Sequence, residues 1–233
     1  MPSYQAVLAE TDWAALQTAF GSGADLPGVL ARLLEPDPTV QVTALSELSE
    51  LVNHQSTIYE ATAPAVMFVA GILTHPATMT LRPYRDIRLR ATLLGWLAAP
   101  LQDASDEAVG CIEQRFPGFL APGTTMAAFR NLRPMLYRAV APFLRDRDED
   151  VREAAVVTAL ILAEHPALAE YRDHLAVHAR RVLDTSSDDR SRRVAGKALE
   201  VWGHAPSGPG ALREEPYEWQ LRSDGRGDID PPF

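Results

Sequence analysis

Cysteine is almost missing from this chain. Cys111 stands alone in 233 residues, so no internal disulfide can form, and a reducing cytoplasm is the expected compartment. Lysine is nearly as scarce: Lys197 accompanies 21 arginines, a bias that fits the coding of a GC-rich bacterial genome rather than a chemical requirement. No apolar run approaches the ~18 residues of a membrane-spanning helix. The N-terminus has neither the basic stretch nor the apolar core of a secretory leader. Together these predict a soluble protein without membrane attachment. Strand signals are also sparse, since no alternating apolar and polar run meets a hairpin turn. A Gly-rich phosphate loop and a serine nucleophile elbow are both missing, and no cofactor is expected.

What the chain does contain is apolar and acidic. Hydrophobic residues make up 46%, enough for a continuous core, and the formal charge is −9. That sign disfavours broad electrostatic binding to nucleic acid or to an anionic membrane. The charge is also uneven. Residues 1–80 hold eight acids and one base, Arg32, whereas residues 81–199 hold 16 acids and 18 bases. The N-terminal third is therefore an acidic pole of net charge −7, suited to steering a basic partner or simply to keeping a surface solvated.

Helical blocks recur between Pro, Gly and Asp punctuation. Trp13, Leu16 and Phe20 suit one face of a helix ended by Gly21. Leu26, Leu30, Leu33 and Leu34 form the next stripe, with Asp25 and Pro27 as start signals. Further helices are expected from about Pro38 to Val52, from Thr62, from Tyr84 to Ala98 with Pro100 as a stop, and from Asp103 to Arg115. Residues 116–125 read as a Pro/Gly connection. Pro134 separates two helical pieces, the second running to Arg145. The last three helices cover roughly 149–164, 167–183 and 189–203. Beyond Pro206 the composition turns to Pro, Gly and charge. That tail is expected to be extended or partly disordered, with Tyr217, Trp219 and Leu221 as docking points.

A short template repeats along the chain: an aliphatic or small residue, Arg or Gln, two free positions, then Ala. It occurs as Val40-Gln41…Ala44, Ile87-Arg88…Ala91, Val151-Arg152…Ala155 and Ser191-Arg192…Ala195. The alanines lie 47, 64 and 40 residues apart. Two intervals match one two-helix repeat, and the third contains the Pro/Gly connection. The small Ala allows close helix approach, and a later residue (Leu48, Gly95, Ala159, Leu199) lines the same face. Asp37, Asp86 and the run Asp146 to Asp150 are placed to cap helix N-termini.

The segment Leu144-Arg145-Asp146-Arg147-Asp148-Glu149-Asp150-Val151-Arg152-Glu153-Ala154-Ala155 resembles the signature of HEAT and lyase-type HEAT-like repeats. The resemblance is clearest over residues 141–204 and extends weakly over 28–98. Asp12-Trp13 and the stretch His54 to Thr62 are similar to a group of actinobacterial HEAT-repeat proteins. The resemblance implies an armadillo-like α-superhelix and, from that group, an immunity or adaptor role.

Several groups invite chemistry. His174 and His178, with Glu170 one turn earlier, could share a helix face and hold zinc, but the glutamate of a metalloprotease helix is missing. Metal binding is not expected. Cys111 has no His/Asn company and reads as a small core residue. Three arginine groups (Arg82, Arg85, Arg88 and Arg90; Arg130, Arg133 and Arg138; Arg180, Arg181, Arg190, Arg192 and Arg193) could track phosphates. With Trp96 or Trp202 and Asp86 they imitate the groove of a HEAT-like alkylation-repair DNA glycosylase, the alternative reading. Against it, the net charge is negative, the arginines alternate with acids suited to pair with them, and no catalytic motif aligns.

The sequence thus predicts an all-α, α-α superhelix of about four to five hairpins over residues 1–205, followed by the tail, 206–233. The expected function is non-catalytic capture of a basic protein by a monomer. The expected partner-binding residues are Asp12, Trp13, Glu47, Glu50, His54, Gln55, Tyr59 and Glu60, on the acidic N-terminal units and the polar turn at 54–59.

Overall fold

The computed structural model describes residues 2–84 and 86–204; Arg85 and the expectations placed on the tail, including Tyr217, Trp219 and Leu221, lie outside them. The described chain is all-α apart from one short hairpin. Its helices are α1 (Tyr4–Glu10), α2 (Leu26–Arg32), α3 (Pro38–Asn53), α4 (Thr62–Ile72), α5 (Ala77–Thr80), α6 (Leu89–Asp103), α7 (Asp106–Arg115), α8 (Thr125–Arg130), α9 (Arg133–Val140), α10 (Glu149–Leu162), α11 (Arg172–Thr185) and α12 (Asp189–Val201).

The template helices are α3, α6, α10 and α12; the last three pack in a row, and α3 meets α6 through side-chain bridges. α6 packs most extensively against α10, and α10 continues onto α12. The small template residues explain the closeness. Ala44, Ala155 and Ala195 are fully buried and Ala91 nearly so. Thr158 of α10 is also buried, and its hydroxyl donates to the Leu94 carbonyl of α6 at 2.9 Å. A second row, α4 and α9, continues to Tyr171 at the start of α11, where the Tyr137 and Tyr171 rings meet at 4.7 Å. Members of this row pack on the first: α4 on α6, α9 on α10, and α11 on α10 and α12. One core runs from Val7 to Leu199 between them. Each buried Leu or Ile in it contributes roughly 1.5–3 kcal/mol.

The second template residue has a role that its charge alone does not reveal. Gln41 donates to the Glu35 carbonyl at 2.6 Å and Arg152 to the Asp146 carbonyl at 2.9 Å. Arg88 and Arg192 donate to the carbonyls of Met79 and Leu183. In all four copies this side chain reaches back to a carbonyl in the preceding helical segment or connection: Glu35 and Asp146 lie between helices, Met79 in α5 and Leu183 in the last turn of α11, where helix ends leave acceptors unpaired. The aspartate caps form in three copies: Asp37 accepts from Thr39 N at 2.8 Å, Asp148 from Val151 N at 3.2 Å and Asp188 from Ser191 N at 2.8 Å. Burial pushes the Asp148 carboxyl up, but bonds from Arg88 and Val151 N hold it below the usual range.

Several expectations need correction. Asp86 caps no helix. The residues before α6 form a turn closed by a Tyr84–Ile87 bridge, and the helix starts only at Leu89. Ile87 and Gly95 consequently face solvent, and the buried face of α6 is Leu89, Leu93, Leu94, Leu97 and Leu101. Pro100 does not end that helix; it lies inside the last turn, and the chain stays helical to Asp103. Cys111 is exposed on α7, not in the core.

The expected helix through Trp13, Leu16 and Phe20 is instead a 3-10 turn at Trp13–Ala15 followed by the hairpin β1 (Gln17–Thr18) and β2 (Gly21–Ser22). Gly21 has φ +114°, which a helix does not allow and which only glycine adopts freely. The Thr18 hydroxyl closes the turn by donating to the Gly21 carbonyl at 2.9 Å and accepting from Phe20 N at 3.3 Å. The hairpin is then stitched to the helices, with Ala19 N donating to Leu51 O and Ala61 N to Gln17 O.

Candidate partner-binding groove

At the N-terminal end of the first row the packing changes. α3 and α6 are not pressed together as α6 and α10 are; polar side chains bridge them. Trp96 Nε1 donates to Ser49 Oγ at 2.9 Å, and Asn53 Nδ2 to Asp103 Oδ2 at 3.0 Å. Between the two helices lies a groove of ≈ 350 Å³ lined by Leu45, Ser46, Ser49, Glu50, Tyr84, Thr92 and Trp96. The indole is held in place because Ser49 Oγ donates onward to Leu45 O at 3.0 Å. Tyr84 is 41% exposed at one side, and the half-buried indole lies on α6.

The eight residues expected to bind a partner divide. Glu50 is on the groove and connects it to the turn beyond: its Oε2 meets His54 Nδ1 at 2.8 Å, and the His54 ring lies 5.2 Å from that of Phe20. Phe20, on the hairpin, is 66% exposed. Gln55 and Ser56 follow with φ +49° and +58°, two successive left-handed residues that make a tight, strained turn. Tyr59 reaches back toward the His54 carbonyl at 3.5 Å, and exposed Glu60 accepts Gln17 N at 3.0 Å. Glu50, His54, Gln55, Tyr59 and Glu60 thus share one edge with the hairpin. Glu47 pairs with Arg32, and Asp12 is exposed beside the 3-10 turn.

Trp13 is corrected. It is 4% exposed, with Nε1 donating to Leu8 O at 3.3 Å, so it anchors the N-terminal segment in the core and presents no ring to a partner. Phe20, Tyr84, Ser46, Ser49 and Thr92 carry no local sequence signal for partner binding, and Trp96 carries one only for the alternative glycosylase groove. Their convergence depends on how α3 and α6 splay, which no local pattern reports.

Four members of the first two arginine groups pair with acids inside the fold, whereas Arg82, Arg138, Arg181, Arg190 and Arg193 are exposed. Arg88 binds Asp148 at 2.5 Å, Arg90 reaches Asp146 at 3.8 Å and lies over the Phe143 ring, and Arg130 pairs with Asp106. Arg133 is fully buried against Glu164 at 3.1 Å. Burial lowers the pKa of Arg90 and Arg133, opposed by Asp146 and Glu164 respectively. Asp86 is exposed in the turn before α6, and Trp202 ends α12 under the Arg172 guanidinium at 5.9 Å. The His174 and His178 rings meet edge-on at 5.0 Å, and among the described residues no group of three His, Cys, Asp or Glu is arranged to hold a metal ion. No described helix is long and apolar enough to cross a membrane.

Compared with protein-family models, with curated proteins and with solved structures, the chain matches none of them.

Proposed function

We propose that the chain is a HEAT-type α-superhelix of four to five hairpins that captures a basic protein without catalysing a reaction, in the manner of a bacterial immunity or adaptor protein. The observation that carries this reading is the groove between α3 and α6, where Glu50 of the acidic N-terminal third converges with Tyr84 and Trp96. Aromatic side chains with a carboxylate beside them are typical anchors of a protein interface. The template helices support the repeat reading, because all four carry equivalent small buried residues and equivalent carbonyl-binding side chains, and α6, α10 and α12 pack in chain order. The internal pairing of Arg88, Arg90, Arg130 and Arg133 withdraws these four from the positive surface a phosphate backbone would need.

The test is capture from a lysate of the native host with tagged wild-type protein and with a Glu50→Lys/Glu60→Lys variant, analysing both protein and nucleic acid. A basic protein held by the wild type, released as salt rises, and lost from the variant is the expected result. Undiminished capture by the variant refutes the acidic-face reading, and co-purification of DNA without a stoichiometric protein refutes protein capture.

A further inference from the structure

Resting on the capture reading above, we infer that the α3/α6 groove recognises an arginine side chain of the partner, its guanidinium stacked between Tyr84 and Trp96 and paired with Glu50. Three features lead there. Glu50 is the one charged side chain among the described groove-lining residues, and that side chain stays 60% exposed even while meeting His54. Among the described residues, Arg32 pairs with Glu47, Arg88 with Asp148 and the Met79 carbonyl, and Arg90 with Asp146 and the Leu73 carbonyl, and the ion-pair partner of Glu50 is His54. The two aromatic side chains on the same groove complete the set, since a planar, weakly hydrated guanidinium is the cation best suited to stack on tyrosine and tryptophan faces while donating to a carboxylate.

The hydroxyls of Ser46 and Thr92 also line the site and can accept the remaining N–H groups. The Trp96–Ser49 hydrogen bond pre-orients the indole, so little side-chain freedom is lost on binding. His54 meets the Glu50 carboxylate but is not among the residues lining the groove.

The probe is N-acetyl-arginine amide titrated into the full ¹⁵N-labelled chain, with the Trp96 indole N–H as reporter, assigned by its loss in Trp96→Phe. N-acetyl-citrulline amide, similar in shape and uncharged, is the control. Arginine amide should shift the Trp96 signal saturably and citrulline amide should not. Tyr84→Ala and Glu50→Gln, both at exposed side chains, should each weaken binding about two- to fivefold, the range of an exposed cation–π contact or ion pair. No saturable shift, or an equal response to citrulline amide, overturns the inference. Loss of partner capture in Glu60→Lys with full capture in Tyr84→Ala also overturns it, while leaving the acidic-face reading standing.

Discussion

Removing Glu164 should damage this protein far more than removing the arginine that Glu164 serves. Arg133 is the largest fully buried side chain, a cation at 0% exposure near the start of α9. Its Nη1 donates to Glu164 at 3.1 Å and its Nη2 to the Ala104 carbonyl at 2.6 Å, while its Nε has no partner. Glu164 also accepts the Asp106 N–H at 2.9 Å, at the first turn of α7. Glu164→Ala therefore strands a buried charge and unsatisfies a helix N-terminus at once. Breaking a buried pair from one side costs about 3–5 kcal/mol. Arg133→Met instead takes away the charge together with its unpaired Nε. The Ala104 carbonyl keeps Arg130 as a donor, and Glu164, 20% exposed, loses its cation but still accepts the Asp106 N–H, a loss of roughly 1–3 kcal/mol, offset in part by the buried thioether.

Urea unfolding followed by far-ultraviolet circular dichroism separates the two. With a slope of about 2 kcal/mol per molar, Glu164→Ala should lower the midpoint by about 1.5–2.5 M, and Arg133→Met by clearly less. The double variant should be more stable than Glu164→Ala alone, because the stranded charge is gone. A cost below about 1 kcal/mol for Glu164→Ala, or a double variant worse than that single one, would refute the account of Arg133 as a cation held by Glu164.

Two further outcomes are expected. Trp13→Ala should destabilise the fold by about 3–5 kcal/mol, since it empties a buried aromatic site; thermal melting checks this, and a melting temperature close to wild type would return Trp13 to the surface. Burial lowers the pKa of His165 and His178, with Arg133 adding to the effect on the first and His174 on the second. A lowered histidine pKa contributes stability that is complete above the unfolded value of about 6.5 and is lost as pH falls through the folded value. The urea midpoint should accordingly decline from pH 7 toward pH 5, and less steeply in His178→Gln; an equally steep decline in that variant would remove His178 from the explanation.

The sequence was most informative where one residue type answers one local need. Asp37-Pro38 announces α3, because the carboxylate accepts the Thr39 N–H and proline lacks a hydrogen-bonding N–H at the first turn. Asp148 and the template over 151–155 place α10 for the same reason, and its small buried residues foretell close packing. Local signals misled where backbone conformation rather than periodicity decided the outcome. Trp13, Leu16 and Phe20 keep helical spacing, yet Gly21 at φ +114° and the Thr18 hydroxyl turn the chain into a hairpin. Ile87-Arg88 matches the template in composition, but a turn closed by Tyr84 and Ile87 takes up the first helical turn and sends Ile87 and Gly95 to solvent.

What the sequence determined by itself is the all-α character, most helix positions, the buried template alanines and the acidic pole, since each follows from side-chain spacing, capping chemistry or charge within a short stretch. Tertiary structure alone decided which arginines are consumed by Asp106, Asp146, Asp148 and Glu164, and that α3 and α6 part to bring Glu50, Tyr84 and Trp96 onto one groove. Those arrangements join residues tens of positions apart through helix separation and crossing. Separation and crossing depend on the summed packing of the whole core, which no local window of residues contains.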